Sequence, residues 1–394
     1  MEPDVDPNAV AEPGEPDDEI PDIDKTSAAV GTLRSIATGI WILAILSLIY
    51  TVFFARAFLL PIVYAVLLSF LLSPLIRLLA RLRIGPPVGA GIIILALLAI
   101  VGGAGYELAG PIERLATSAP TTLATAEVKL AKLLKPLQKA GRTAEAVENA
   151  ASAGTNTTSP DSKTPARVVV AGPSVITRAF GTTQRAVGAL LEVTILLYFL
   201  LAAGDFFLQK LIKVLPAKGE KKLAVQIARE TESSISTYLL TTSLVNLVEG
   251  GVVALVMYAW GMPNPFLWGA LVVALEFIPY LGSVVMIVIL SIAALTTYDS
   301  VGHALLIPAS YLAINIVQGN FVSPILLGHK LSLNPVAIFV GLTFWFWVWG
   351  IPGAFIAVPL VATFKIFCDN IAVLASIGEF LGQRDGDERR ATVR

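Results

Sequence analysis

A carboxylate inside an apolar segment, close to a proline, is the feature of this sequence most able to do chemistry. Glu276 lies in the segment 263–283, three residues before Pro279, and Tyr280 and Gly282 follow. Proline removes a backbone donor and clashes with the preceding turn, so we expect the helix to open there. Open backbone at membrane depth is tolerated only inside protein or against a wet cavity. A glutamate beside such a break therefore predicts a functional site, with Glu276 as its candidate coupling group.

Other polar residues in the apolar segments are few, and several fall on common helix faces. Thr242, Asn246 and Glu249 share one face, because residues four and seven apart lie above one another. An isolated charge in hydrocarbon costs at least about 2.5–3.5 kcal/mol, so these acids should face one another, a lysine or water. We therefore predict a polar cavity among the last four apolar segments, in which a desolvated glutamate could carry a proton. The residues predicted to line this pathway are Asn246, Glu249, Glu276, Pro279, Tyr280, Gly282, Asn320, Pro324, Gly350, Pro352 and Gly353.

A structural role would explain part of the same pattern. Glu276 would then be a snorkelling or protein-paired acid beside a simple kink. Asn246 and Asn315 would hold helices together through their amides, as polar groups do in membranes. Lys365 and Asp369 lie four residues apart and fit an ion pair at a helix end. The residues alone leave both interpretations open.

The composition indicates a membrane protein and excludes several other classes. Of the 394 residues, 55% are hydrophobic and only 14% are charged, whereas soluble domains carry about 25% charged residues. The net charge of -1 gives no field that would favour a nucleic-acid partner. The single cysteine, Cys368, and the separated histidines His303 and His329 predict neither a disulfide framework nor a metal site. Phosphate-loop, HExxH and GxSxG motifs are absent, so we expect no cofactor and no enzyme.

Hydropathy and loop chemistry divide the chain into membrane segments, tails and one polar arm. The prediction is an all-α polytopic membrane protein with about eight transmembrane helices, some broken or re-entrant, plus an extramembrane helical arm. The first half of the chain is predicted to hold a disordered acidic tail (1–33), three transmembrane helices (34–109) and the helical arm (110–185). Region 186–236 follows, with a transmembrane helix and then an amphipathic cytoplasmic helix over 206–236. The last two regions are a transport core with Pro/Gly breaks (237–380) and a polar tail (381–394).

Basic residues cluster after two of the membrane segments and predict the orientation. Arginines at 77–83 and the basic stretch 210–229 should both be cytoplasmic, because short cytoplasmic loops carry the excess of Lys and Arg. Both termini would then be cytoplasmic and the 110–185 arm would lie outside. If the breaks at Pro279 or Pro352 form re-entrant hairpins, the loops that follow them change sides.

Several short motifs resemble one known family. They are TTSLVN (241–246), GMPNPFLWGAL (261–271), FIPYLGS (277–283), NFVSP (320–324), LSLNP (331–335) and WGIPGAFIAVPLVATFKIFCDN (349–370). Together they resemble the AI-2E family of bacterial transporters. The resemblance runs from about residue 30 to 380, and its most specific part is the C-terminal block.

The resemblance implies an eight-span permease of the bacterial inner membrane with cytoplasmic ends. It also implies a homo-oligomer, with a pentamer as one option, that moves small polar molecules or ions without ATP. Members are associated with export of the quorum-sensing signal autoinducer-2, and others with sodium/proton antiport. The sequence departs from the family pattern at Glu276, where an asparagine is common, and at Gly319, where an acid is frequent. These departures leave the substrate open.

Three hypotheses about function follow from the residues and the resemblance. The first is a secondary transporter that exports a small polar solute with the help of an ion gradient, using the broken helices as its site. The second is a Na⁺(Li⁺)/H⁺ antiporter, in which Glu276 would carry the proton. The third is a membrane scaffold that acts through the 110–185 arm.

Overall fold

The chain is described by a computed structural model that covers residues 23–115, 117, 129, 175–204, 206–214, 218–327 and 333–382. Within these ranges all regular secondary-structure elements are helices, which confirms the predicted all-α class. The helices are α1 (Ile23–Phe54), α2 (Arg56–Arg81), α3 (Pro86–Leu115), α4 (Val175–Ala203), α5 (Phe206–Val214), α6 (Lys218–Ala259), α7 (Pro265–Leu275), α8 (Leu281–Thr297), α9 (Val301–Val317), α10 (Ser323–Leu327), α11 (Pro335–Trp349), α12 (Ile351–Asn370) and α13 (Ala375–Leu381). A π-helical turn, Gln318–Val322, joins α9 to α10, and a 3₁₀ turn, Ala372–Leu374, precedes α13.

Six of the described helices are long and apolar enough to cross a membrane. They are Arg34–Phe54 within α1, α2, α3, most of α6, the run Val301–Leu326 and α12. Shorter apolar helices complete the set, including α7, α8 and α11. The chain is therefore a multi-pass membrane protein. The predicted disordered tail (1–33) ends too late, because residues 23–33 are helical and belong to α1. Residues 1–22 of that tail, residues 383–394 of the polar C-terminal tail and most of the 110–185 arm lie outside the described residues, so those predictions stay predictions.

The first 56 residues form a unit of their own that contains α1. Its apolar side chains, such as Trp41, are exposed, which suits a helix surrounded by lipid.

The second unit, Ala57–Arg394, has its core where α6, α7, α8 and α9 meet. α6 and α7 approach each other closely at Gly250 and Gly269, where a Cβ on Gly250 would lie 2.6 Å from the Gly269 carbonyl oxygen. Small residues allow this backbone approach in membrane helices. Large apolar side chains from all four helices fill the core beside it, namely Val253, Met257, Trp268, Val272, Met286, Leu290, Ile307 and Tyr311.

The basic stretch that precedes the fifth predicted span is organised differently from the prediction. The sequence indicated one amphipathic helix over 206–236, separate from the following span. In the structure α5 ends at Val214, and residues 218–236 are the first half of α6, a continuous helix of 42 residues. No proline interrupts α6, so its polar and apolar halves join without a break. The predicted boundary at 236/237 falls inside this helix.

Both predicted helix breaks are present, and each has a clear backbone cause. α7 ends at Leu275, four residues before Pro279. The helix ends there because a proline ring clashes with the carbonyl four residues earlier. The chain turns through Tyr280, whose φ is 63°, before α8 begins. The second break lies at Gly350, with φ 68° and ψ −148°, between α11 and α12. Glycine is the residue that adopts this region without strain.

The α7–α8 break turns the predicted sixth span into a hairpin. The Tyr298 hydroxyl, just after α8, donates to the Trp260 carbonyl at the end of α6, with an O···O distance of 2.8 Å. Both ends of the hairpin are therefore at the same end of α6. α7 has 11 residues and is about 16 Å long, roughly half of the hydrocarbon core of about 30 Å. A hairpin of this shape is what the re-entrant alternative predicts.

The α11–α12 pair is a second hairpin that opens toward the opposite end of α6. The backbone N–H of Asn334, just before α11, donates to the backbone carbonyl of Leu381, beyond the end of α12, at 2.9 Å. The end of α12 contacts the first half of α6, where the Gln226 amide donates to the Asn370 side-chain oxygen at 3.1 Å. The two breaks meet inside the protein, because Ile278 of the first packs with Leu342, Ala354 and Ala357 of the second hairpin.

Candidate functional site

Two carboxylates from different helices meet at the break in the first hairpin. Glu249 comes from α6, and Glu276 directly follows the last residue of α7 as its C-cap. α8 contributes Ser283 from its first turn, and α9 contributes Tyr311 and Asn315. We call these five residues the carboxylate network. Four helices therefore converge on one polar point within an otherwise apolar core.

Glu276 is held by three donors. The Tyr311 hydroxyl donates to Oε1 at 2.5 Å, and the Asn315 amide donates to the same oxygen at 3.1 Å. The Ser283 hydroxyl lies 2.9 Å from Oε1 and 3.1 Å from Oε2. Ser283 is in the first turn of α8, where the helix dipole favours a negative charge. The carboxylate of Glu276 is thus well satisfied by neutral groups.

Asn315 connects the two acids. Its amide nitrogen lies 3.3 Å from Oε1 of Glu249 and 3.1 Å from Oε1 of Glu276. It also lies 3.2 Å from the Ser283 hydroxyl oxygen. One neutral amide therefore serves both carboxylates, which leaves their mutual repulsion uncompensated if both are ionised.

Glu249 is less well satisfied than its neighbour. Only 3% of Glu249 and 2% of Asn246 are exposed. Among the described residues, neither Oε2 of Glu249 nor the amide nitrogen of Asn246 has a hydrogen-bond partner. Buried polar atoms are nearly always paired with protein or water. α6 therefore presents an unpaired acceptor and an unpaired donor on one face. A polar ligand or a water molecule could form the missing hydrogen bonds, and a proton could bind the free carboxylate oxygen.

Countercharges are missing around the acids within the described ranges. The lysine and arginine ion pairs found there, Arg77–Glu232 and Lys365–Asp369, involve neither Glu249 nor Glu276. The Lys365–Asp369 pair, at 2.5 Å, matches the helix-end pairing that the sequence indicated. The described part of the chain also contains no group of three His, Cys, Asp or Glu residues that could hold a metal ion.

Gly282 explains how the break aims Glu276 at the network. A Cβ on Gly282 would overlap the carbonyl of Leu275, so the start of α8 packs directly on the end of α7. That contact brings Ser283 within reach of Glu276 across the break. Gly353 allows a similar close backbone contact in the second hairpin, because a Cβ there would overlap the carbonyl of Trp345.

The other predicted lining residues occupy different places. Tyr280 is 58% exposed. Asn320 and Pro324 are exposed, and the Asn320 side-chain amide donates to the Ile316 carbonyl, four residues earlier, at 2.9 Å. Pro352 lies in the second break, where its carbonyl accepts a hydrogen bond from the Tyr64 hydroxyl at 3.0 Å. Of the predicted set, Glu249 and Glu276 belong to the network and Gly282 packs beside it, while Asn246 is buried on α6 three residues before Glu249.

Three members of the network were absent from the predicted lining: Ser283, Tyr311 and Asn315, whose amide was expected to hold helices together if its role is structural. Tyr311 was absent from the predicted lining because a tyrosine in an apolar helix usually packs as a core aromatic. Ser283 appeared only within a motif. The available signal was that Tyr311 and Asn315 are four residues apart, which places them on one face of α9.

The fold and the network define a class: a multi-pass helical membrane protein that keeps uncompensated acids within its core beside a broken helix. Residues 40–372 match the model of the AI-2E family transporter, and the chain belongs to that family. The resemblance to the AI-2E family that the sequence motifs indicated is thereby confirmed.

Relatives with names show how far the similarity extends. AI-2 transport protein TqsA of Escherichia coli (strain K12) is 32% identical over 188 residues, 46% of this chain and 54% of that protein. A "Putative transport protein" of Borreliella burgdorferi is 30% identical over 211 residues, 52% of this chain and 57% of that protein. The "Putative transport protein YrrI" of Bacillus subtilis (strain 168) is 29% identical over 203 residues, 48% of this chain and 56% of that protein. The chain spans about half the length of the relatives it matches.

Proposed function

We propose that this protein is a secondary transporter that exports a small polar solute, such as a quorum-sensing signal, and couples that movement to an ion gradient. The observation that carries the proposal is the pair of acids, Glu249 and Glu276, which share Asn315 and leave one buried carboxylate oxygen without a partner among the described residues. The E. coli relative is named as an AI-2 transport protein, and this chain would carry a solute of similar size and polarity.

Coupling would arise from charge at the carboxylate network. Two ionised carboxylates that share one donor repel each other, and a single proton or cation would relieve that repulsion. A polar solute could do the same by donating to the free oxygen of Glu249. Proton, cation and solute would then compete for one place, which is the requirement for coupling their movements.

The two hairpins would supply the moving part. Broken helices that meet near the middle of the membrane recur as the binding element of secondary transporters. Here Ile278 of the first break packs against Ala354 and Ala357 of the second hairpin, and Gly350 supplies the positive φ that the second break requires. A small shift of one hairpin against the other would open the network toward one side at a time.

Location and assembly belong to the same proposal. We place the protein in the bacterial inner membrane with cytoplasmic termini and expect a homo-oligomer, with a pentamer as one option. Its partners would be the solute, a monovalent cation or proton and the lipid bilayer, without nucleic acid or cofactor. It would not act as an enzyme.

A flux assay in proteoliposomes tests the proposal. Liposomes with the purified protein are loaded with a panel of small polar solutes that includes autoinducer-2, and efflux is followed with and without a pH or sodium gradient. We expect solute efflux that an imposed gradient accelerates, relative to protein-free liposomes. Absence of any solute flux under every gradient would contradict the proposal.

The second candidate, a Na⁺(Li⁺)/H⁺ antiporter, is favoured by one observation: the acids have no lysine or arginine partner in the described ranges. A cation could occupy that position in place of a solute. Sodium-driven proton movement without flux of any solute in the panel would select this candidate.

The scaffold hypothesis predicts instead that deletion of 110–185 ends function while Glu249→Gln and Glu276→Gln preserve it.

A further inference from the structure

A cavity lies apart from the carboxylate network, between α2, α4, α6 and α12. Its volume is about 710 Å³, within the range of about 300–1,000 Å³ that is usual for bound small molecules. Its walls are mostly apolar, and the side chains that close it come from all four helices: Val66, Phe70, Ile76, Leu200, Leu201, Ile227 and Phe367.

A polar pocket adjoins this apolar cavity. It has a volume of about 450 Å³ and is lined by Arg77, Arg229 and Glu232 together with Ser233, Ser236 and Thr237. Arg77 and Glu232 line both spaces. The two spaces therefore adjoin at Arg77 and Glu232, with the apolar cavity on one side of this pair and the polar, basic pocket on the other.

The charges at the shared end favour an anion. Glu232 accepts from Arg77 at 3.2 Å and from the Ser73 hydroxyl at 3.3 Å, so its charge is already compensated. Arg77 keeps a side-chain exposure of 62%. Arg229 has no ion pair within the described ranges and adds a further positive charge. One net positive charge remains at the polar end.

Thr231 adds an unsatisfied polar group to the cavity wall. It is 8% exposed, and its hydroxyl oxygen has no hydrogen-bond partner among the described residues. A hydroxyl in such a position is completed by a ligand or by water. The cavity wall therefore has a free hydrogen-bonding group close to the basic end.

We propose that the paired cavities bind an anionic phospholipid. One acyl chain would lie between α2, α4, α6 and α12, and the phosphate of the headgroup would contact Arg77 and Arg229. Basic pockets between membrane helices on the cytoplasmic side bind anionic headgroups, and this end of α2 is the end predicted to be cytoplasmic. A small polar solute is a poorer occupant, because apolar walls offer it few hydrogen-bonding partners.

Lipid retention by the full-length protein tests this proposal without reference to transport. The protein is purified in detergent and offered phosphatidylglycerol or phosphatidylcholine, and bound lipid is counted by native mass spectrometry while thermal unfolding is followed in parallel. Wild type should retain phosphatidylglycerol preferentially and gain thermal stability from it. Equal retention of both lipids would overturn the proposal.

Three variants locate the site. Arg77→Gln should weaken phosphatidylglycerol retention about fivefold, the change expected for one basic residue near a headgroup. Ala224→Phe, which fills the apolar cavity without a change of charge, should weaken it as well, and its folding is checked by thermal unfolding without lipid. Arg56→Gln, at the opposite end of α2, should retain lipid like wild type. Wild-type retention by both Arg77→Gln and Ala224→Phe would overturn the proposal.

Two further outcomes distinguish other occupants. Inorganic phosphate that stabilises Ala224→Phe and wild type alike, while lipid shows no preference, would indicate a free-anion site and overturn the lipid assignment. Retention of phosphatidylglycerol by Ala224→Phe together with loss of solute flux would assign the cavity to the transport pathway, which also overturns it. Because lipid retention is measured without a gradient, failure here leaves the proposed function untouched.

Discussion

Glu276 and Glu249 differ in how many donors they have, and this difference divides their roles. Glu276 accepts hydrogen bonds from Tyr311, Ser283 and Asn315, whereas Glu249 accepts from Asn315 only, among the described residues. A carboxylate with three donors is fixed in place. The carboxylate with one donor and a free oxygen is better able to take a proton, a cation or a solute. We infer that Glu276 orders the network and that Glu249 is its exchangeable end.

Tyr311→Phe should destabilise the protein. The change removes one hydroxyl, which donates to Glu276 at 2.5 Å, and leaves the ring that packs in the core. Loss of a hydrogen bond to a charged group costs about 1.5–3 kcal/mol. The free energy of unfolding, measured by denaturant titration in mixed micelles, should fall by that amount.

Tyr258→Phe is the matched control for this prediction. Tyr258 is on α6 and is 75% exposed, so its hydroxyl is expected to contribute little. Equal unfolding free energies for wild type and Tyr311→Phe would contradict the hydrogen bond to Glu276 that the network requires.

The residues of the carboxylate network could be predicted only in part from the sequence. Glu249, Asn246 and Glu276 could be identified because charged and amide groups are costly in an apolar segment, whatever their partners. Tyr311 and Ser283 could not be identified in the same way, because each is common in helices for other reasons. Their role depends on which helices become neighbours, and a single sequence does not state that α9 packs across the α7–α8 break.

At the scale of helices, the contact between α6 and α7 holds Glu249 opposite the break. Gly250 follows Glu249 directly, and its backbone faces Gly269 of α7. The next residue, Gly251, faces open space, because a Cβ added there would have no atom within 4 Å among the described residues. Neighbouring glycines in one helix thus differ in what an added methyl group would meet.

Gly250→Ala and Gly251→Ala should have opposite effects. Alanine at 250 forces α6 and α7 apart, and overpacking of this kind costs about 1–3 kcal/mol. Alanine at 251 meets nothing and is a better helix former by up to about 1 kcal/mol. Unfolding free energies of the two variants in the same micelles check the prediction, and similar values for both would contradict the close approach of the helices.

Helix limits were predictable where proline or glycine sets them. Pro279 and Gly350 gave the positions of both breaks, because their backbone chemistry acts locally. The continuity of α6 was missed because its first half is polar and its second half apolar, so hydropathy alone divided one helix into two. The hairpin form of α7–α8 depends on the contact of Tyr298 with Trp260, which is tertiary and has no local signal.

At the scale of the whole molecule, the hairpins determine on which side each loop lies. If α7 and α8 turn back within the membrane, the loop after α8 returns to the side on which α6 ends. The Lys129 ammonium of the predicted outer arm donates to the Leu295 and Tyr298 carbonyls at the end of α8, at 2.8 Å each. This contact places that loop with the arm, on the predicted outer side.

Cysteine labelling in intact cells tests this orientation. Asp299→Cys should react with a membrane-impermeant maleimide from outside, and Leu82→Cys should react only after the membrane is opened. Both positions are exposed, while the native Cys368 is buried, so background labelling is expected to be low. Labelling of Asp299→Cys only after permeabilisation would mean that α7 and α8 together cross the membrane, contrary to the hairpin.

Solute flux through variants of the two acids is the most direct test of the central claim, that Glu249 and Glu276 together form the transport site. Wild type, Glu249→Gln, Glu276→Gln and the control Glu192→Gln, whose side chain is exposed on α4, are compared in matched proteoliposomes with the solute that the panel identifies. We predict that both network variants lose gradient-driven flux to the level of protein-free liposomes, while Glu192→Gln transports like wild type. Undiminished flux in Glu249→Gln and Glu276→Gln would contradict the account.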